Sequence, residues 1–269
     1  VPGHRFAAQR DTQRSGFGIL YQEGGLTHPL DDLREIVFSE GVTAIGSNTF
    51  RDCASLTSLS FPESLISIGG NAFLNCPGLA SLKFPAKLTA IGGSAFQGCA
   101  GLTSVTFPDK LTSLGASAFR ECSGLTSVSI PDTVTTISDH LFRGCSGLTE
   151  VILGKAVTNV ASYAFSDCRK LKDLAIPKTV TSLGAGAFAS CASLEEVTIP
   201  EGLSAAIYTS ATSAEGAYLS QFYGCSGLRS VTFKIPSVST AFTGWIGNDL
   251  LKTNAVTKII LAEGVTDVG

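Results

Sequence analysis

Residues Leu56 to Leu79 read LTSLSFPESLISIGGNAFLNCPGL, and the same pattern starts again at Leu79, Leu102, Leu125, Leu148 and Leu171. Cysteine recurs at positions 53, 76, 99, 122, 145, 168 and 191, always 23 residues apart, and an eighth follows at 225 after one enlarged interval. Three residues ahead of these cysteines stand Phe50, Phe73, Phe96, Phe119, Phe142, Phe165, Phe188 and Phe222. A fixed period of this size is the signature of a solenoid, in which one supersecondary unit is copied along the chain.

Within the quoted copy, Leu56, Leu59 and Phe61 point inward while Ser58 and Ser60 alternate outward, the period-two pattern of a strand with one buried face. Pro62 lacks an N–H and ends the pairing. Equivalent triplets run from Leu33/Ile36/Phe38 to Val256/Ile259/Leu261 and predict ten parallel strands. After the turn come a second inward pair (Leu65 and Ile68, Leu88 and Ile91, Val134 and Ile137) and a bend marked GGN, GGS or GAS, whose glycines suit tight turns. A short A-F-x-x-C segment with helical or 3₁₀ spacing closes the unit. One coil cannot bury its own apolar face, so the coils stack into a continuous core, and parallel strands joined by crossovers predict a right-handed course.

The 269 residues therefore form one continuous domain, with 44% hydrophobic against 15% charged residues supplying a long core. No apolar run reaches the length of a membrane span. A net charge of −3 offers no basic field to neutralise phosphate, so nucleic acid is not an expected partner. The N-terminal stretch has arginines but no apolar signal-peptide core, and the absence of an initial methionine suggests a mature or trimmed form.

The eight cysteines count repeats rather than bridges. Equivalent residues on adjacent coils sit about 4.8 Å apart with parallel Cα–Cβ directions, beyond the usual Cβ separation of a disulfide. Buried free thiols acting as small hydrophobes are expected. Paired C-x-x-C spacings are missing, so neither a metal nor another cofactor is expected.

The motif LxxLxFP-x-x-LxxIG-x-x-AFxxC, with proline after the strand and phenylalanine and cysteine in the return segment, resembles the BspA-like (Treponema pallidum type) leucine-rich repeats over residues 33 to 269. The fold expected is thus a β-rich α/β solenoid: a right-handed leucine-rich-repeat superhelix of about ten 23-residue coils, with one parallel sheet and short return strand or 3₁₀ segments. The resemblance implies a secreted or surface-attached protein of host-associated microbes, used in adhesion or in recognition of an extracellular protein or glycan. It brings no shared catalytic residues.

Residues 1–32 contain Arg5, Arg10, Arg14 and the alternating FGILY stretch, and are read as an N-terminal cap over the first coil of a solenoid spanning 33–269. At the other end EGVTDVG repeats the EGVTAIG of residues 40–46, so the chain stops within a unit. Such an end is expected to meet further protein or to self-associate end to end.

Irregular coils occupy residues 200–255. Pro200 to Phe222 carries 11 extra residues, flanked by Tyr208, Tyr218 and Tyr223, and in the next coil the only tryptophan, Trp245, takes the cysteine place after Phe242. Insertions in solenoids map to loops that often bind, and large amphipathic rings anchor partners. Tyr208, Tyr218, Tyr223 and Trp245 are the leading ligand-binding candidates. A second candidate is the outward column Glu150, Asp173, Glu196, where three acids in successive coils repel by about 1 kcal/mol per pair in water. Lys155, Lys170, Lys172 and Lys178 are expected to offset that repulsion.

Catalysis finds no footing. His4, His28 and His140 are isolated, with His140 expected at an exposed position of a D-H-L-F return segment, and no G-x-S-x-G, P-loop or G-x-G-x-x-G is present. The sequence therefore predicts a non-enzymatic adhesion or recognition module, with a passive spacer presenting another domain as the alternative.

Overall fold

The computed structural model describes residues 30, 32–203, 221–234 and 256–262. Each regular coil carries a first strand and a second one of two residues. In chain order these are β1 (Glu35–Val37) and β2 (Ala44–Ile45), β3 (Ser58–Ser60) and β4 (Ser67–Ile68), β5 (Ser81–Lys83) and β6 (Ala90–Ile91), and β7 (Ser104–Thr106) and β8 (Ser113–Leu114). The next coils add β9 (Ser127–Ser129) and β10 (Thr136–Ile137), β11 (Glu150–Ile152) and β12 (Asn159–Val160), and β13 (Asp173–Leu174) and β14 (Ser182–Leu183). β15 (Glu196–Ile199), β16 (Ser230–Phe233) and β17 (Lys258–Leu261) follow as first strands alone.

Every pairing is parallel and offset by one repeat, as with Glu35 opposite Ser58 and Ser67 opposite Ala90. The solenoid class is as the sequence predicts, but its layout differs in three respects. Two strand columns stand where one sheet with short return strand segments was expected: the first is bonded as β1-β3, β5-β7, β9-β11-β13 and β15-β16-β17, and the second as β2-β4-β6-β8 and β10-β12-β14. The second column exists because short segments such as Ala90–Ile91 pair in register with Ser67–Ile68 and Ser113–Leu114, with Ile91 buried at 1% exposure. Seven coils show both strands among the described residues, against about ten predicted, and the last three show only the first.

The third difference concerns the A-F-x-x-C segments, which are turns; no helix occurs among the described residues. Alternate N–H groups find acceptors in the neighbouring coil, while those between them bond three residues back, as Leu74 does to Asn71 and Gln97 to Ser94. Asn71, Phe73 and Asn75 donate to the carbonyls of Gly93, Ala95 and Gln97 at 2.9, 2.8 and 2.7 Å. Residues that bond outward in this way have no N–H left for a helical ladder.

The bend also works differently from expectation. Left-handed backbone falls on the third residue of GGN, GGS and GAS, with φ of 55° at Asn71, 53° at Ser94 and 60° at Ser117. The first glycine is required by close approach instead: a Cβ on Gly92 would lie 2.5 Å from the nitrogen of Gly70 in the preceding coil.

The core consists of side-chain columns. The phenylalanines from Phe50 to Phe222 stack face to face with centroids 5.2–5.7 Å apart and planes within 16°. A shorter column, Phe38, Phe61, Phe84 and Phe107, meets it edge-on. Such pairs add roughly 0.5–1.5 kcal/mol each beyond area burial.

All eight cysteines are buried free thiols. From Cys76 onward each Sγ–H donates to the phenylalanine carbonyl of the preceding coil, as Cys122 does to Phe96 at 3.2 Å and Cys145 to Phe119 at 3.1 Å. Burial pushes the Cys99 and Cys145 thiols up to about 12. On the surface, Thr103, Thr126 and Thr149 donate their hydroxyls to carbonyls 23 residues earlier at 3.0–3.3 Å, a ladder that also ties coil to coil.

Candidate functional site

Of the leading candidates, Tyr208, Tyr218 and Trp245 lie outside the described residues. Tyr223 is described and half-buried, in the return turn directly after Phe222, with its carbonyl accepting the Ser190 N–H at 2.7 Å. In the coils before it, the same place is taken by Arg51, Leu74, Gln97, Arg120, Arg143, Ser166 and Ala189. Tyr223 therefore belongs to the return edge of the solenoid.

The core is unaffected by the insertion beside it. Leu203 is fully buried before the extra residues, and after them Phe222 stacks on Phe188 at 5.4 Å. The Cys225 thiol reaches the Phe188 carbonyl at 3.1 Å across 37 residues, where a regular coil spans 26. Strand register is kept as well, with Glu196 opposite Ser230 and Ile199 opposite Phe233. Gln221, in the place of an alanine, is buried and points its amide toward the Leu183 carbonyl at 3.5 Å.

The acidic candidates occupy a different face. Glu150, Asp173 and Glu196 are exposed on β11, β13 and β15, and Glu150 is the direct ladder partner of Asp173. Strands β13 and β15 belong to separate hydrogen-bonded groups, so the ladder bonding, though not the adjacency of the strands, is interrupted before Glu196. Among the described residues no ion pair reaches any of the three acids. Lys155 pairs with Asp132 at 3.9 Å, and neither Lys170, Lys172 nor Lys178 makes an ion pair. The expected offset by lysines is not a direct pairing here; the acids are exposed, where salt screens their repulsion.

The return edge holds a cluster that reading along the chain misses. His140 and Tyr163, one repeat apart, stack with centroids at 5.2 Å and planes 2° apart, and the Arg143 guanidinium lies 5.7 Å over the Tyr163 ring. Arg120 pairs with Glu121 at 2.9 Å, while Arg143 and Arg169 each approach Asp167 at 3.9 Å. Beside them an open concavity of about 460 Å³ is lined by Gly144, Ser146, Asp167, Arg169 and Lys170. A mixed set of cations, one carboxylate and a hydroxyl can hydrogen-bond polar ligands, although the site is shallow. His140 is half-buried here, not exposed as its segment suggested, because the ring of the next coil covers it. The signal was available by comparing positions 23 apart, which sets Arg120 beside Arg143 and His140 beside Tyr163.

Strand columns, stacked rings and a proline-closed repeat define a leucine-rich-repeat solenoid. The chain belongs to the family described as the BspA type leucine rich repeat region, whose model matches residues 29–149 and 112–234 in six copies. Among solved structures, a leucine-rich repeat protein from Bacteroides ovatus is 28% identical with a TM-score of 0.65, over 88% of this chain and 63% of that one. The chain thus spans somewhat under two thirds of that relative's length. The leucine rich repeat protein of Treponema pallidum is 33% identical over 52% of this chain and 65% of its own, with a TM-score of 0.48. A leucine rich cell surface protein from Faecalibacterium prausnitzii is 19% identical over 82% of this chain and 83% of its own, with a TM-score of 0.41. Comparison with curated proteins gives no match. Among the described residues no helix is long and apolar enough to cross a membrane.

Proposed function

We infer that this chain is a non-enzymatic recognition module of an extracellular or cell-surface protein, and that it holds a macromolecular partner, protein or glycan, at the irregular coils between residues 200 and 255. One observation carries the reading: the 11 extra residues after Pro200 leave the core columns unbroken, with Phe222 still 5.4 Å from Phe188. A core that closes without an insertion leaves that insertion free for contact with a partner. The scarce rings Tyr208, Tyr218, Tyr223 and Trp245 gather in the same two coils of the sequence. Residues 1–32 act as the cap and 33–269 as the solenoid.

The regular coils favour a second reading, a passive spacer, because their outward column Ser58, Ser81, Ser104, Ser127 is uniform and small. End-to-end self-association has its own support in β17, where Ile259, Ile260 and Leu261 are 37%, 36% and 41% exposed.

The test is deletion of Ser210 to Glu215, with ligands first selected on glycan and protein arrays. The deletion is expected to change stability by less than about 0.6 kcal/mol, since closure entropy varies slowly with loop length, and to weaken binding about tenfold or more. Replacing Glu150, Asp173 and Glu196 by their amides is expected to leave binding intact. The reverse pattern moves the site to the acidic column, and failure of the intact chain to bind any array member favours the spacer.

A further inference from the structure

We propose that the step between His140 and Tyr163 is an acid-sensitive joint in the solenoid, at which protonation of His140 loosens the contact between its coil and the next. The Nδ1 atom of His140 is buried and has no hydrogen-bond partner. A neutral imidazole can leave one ring nitrogen bare, whereas the imidazolium carries a proton on both. The proton gained from solvent would therefore leave an Nδ1–H enclosed without an acceptor, a state that disfavours the charged form.

The charges around the ring act in the same direction. His140 faces Arg143 from its own turn and Arg120 from the preceding coil, both of which oppose a positive imidazole. Asp139 favours the charge, but its Oδ1 already accepts the Ser162 N–H at 3.0 Å. Glu121 is engaged by Arg120, and Asp167, from the following coil, lies beside Arg143 and Arg169. Tyr163 contributes an uncharged ring face at 5.2 Å. Burial first, then the two arginines, hold the imidazole below its ordinary value of 6.5.

The joint also has a strained backbone. His140 and Tyr163 have φ of 56° each, a left-handed conformation that bulky side chains seldom adopt. They are kept there by coil-to-coil bonds from the His140 N–H to Ser162 and the Tyr163 N–H to Ala185, at 3.0 and 2.9 Å. Because each coil contacts only its neighbours, weakening one step divides the stack there rather than everywhere.

The sign of the pH dependence follows from the lowered value. The unfolded chain binds the proton more readily than the folded one, so the histidine's contribution to stability is present above about pH 6.5 and declines as pH falls below it. The intact chain would be titrated by NMR from about pH 8 to about pH 4.5, with His4 and His28 in the same spectra for reference. The His140 midpoint is expected below 6.5, with amide protection of Phe142 and Tyr163 falling more on acidification than that of Phe73 and Phe96. In His140→Asn the extra loss of protection is expected to disappear. Asparagine already takes the equivalent left-handed position at Asn48 and Asn71, so this variant suits the fold. A His140 midpoint at or above 6.5 overturns the proposal, and so does equal acid sensitivity in His140→Asn and the parent chain.

Discussion

The coils from Leu56 to Leu194 and the stretch after Pro200 answer the same packing problem with different tolerance for irregularity. In the regular coils the period is fixed at 23 residues, and the return-segment rings and thiols from Phe73 to Cys191 are fully buried. After Pro200 the intervals lengthen, yet Phe222, Cys225 and Val231 are still fully buried. Only at β17 does the inward set open, with Ile259 at 37% exposure where Val231 before it has none. The difference shows that the core depends on the columns being filled, and is indifferent to how much chain connects one filled position to the next.

The largest effect that can break this comparison is chemical. With thiols pushed up to about 12 by burial, Cys99 and Cys145 are almost entirely protonated at pH 8 and enclosed. Native alkylation there is expected to run at least about a thousandfold slower than in the denatured chain, with eight thiols counted after unfolding. Cys225, beside the insertion, is expected to react before either of them; simultaneous reaction would make the two regions equally closed. The raised values also set a pH limit, since stability present below the ordinary thiol value of 9.0 is lost as pH climbs toward about 12.

A smaller effect separates inside from outside. Phe119→Ala removes a ring stacked on both faces and is expected to lower stability by about 3–5 kcal/mol. Ser104→Ala, on the outward column, should change it by less than about 0.5 kcal/mol in the same denaturant titrations. Near-equal values would refute the column assignment. Gly92→Ala addresses coil spacing, because its Cβ meets backbone at 2.5 Å; a loss of about 1–3 kcal/mol is expected. The smallest effect belongs to the acids. Replacing Glu150 and Asp173 by amides should raise stability by up to about 1 kcal/mol at low salt and by less at high salt. A drop in stability would mean that the carboxylates have a partner.

Much of this was legible because repetition multiplies weak local signals. The triplet Leu79, Leu82, Phe84 is ambiguous alone, but ten aligned copies identify a buried strand face, and the structure buries all except the last copy to a large degree. The A-F-x-x-C spacing fits a tight helical turn, and alternate N–H groups do bond three residues back, but the others bond one coil away, at a distance that spacing along the chain does not encode. The glycine bend was misjudged for a related reason: the tight constraint on Gly92 comes from Gly70 of another coil. Among candidate sites, the acidic column is visible as a column, whereas His140 read alone gives no hint of its stacking on Tyr163 one repeat later. Tyr208, Tyr218 and Trp245 stay as expectations from composition.

The fixed offset of the coil-to-coil bonds has a consequence for how the molecule is made. Each new strand needs a template only one repeat behind it, so a chain emerging from the ribosome or a translocation channel completes a layer with every 23 residues. Growth of this kind proceeds from the N-terminus as synthesis does, and its contacts stay close in sequence, which favours rapid folding. The interval before Phe222 is the single step between successive core phenylalanines at which the growing edge must wait, 34 residues instead of 23, for its next ring to arrive.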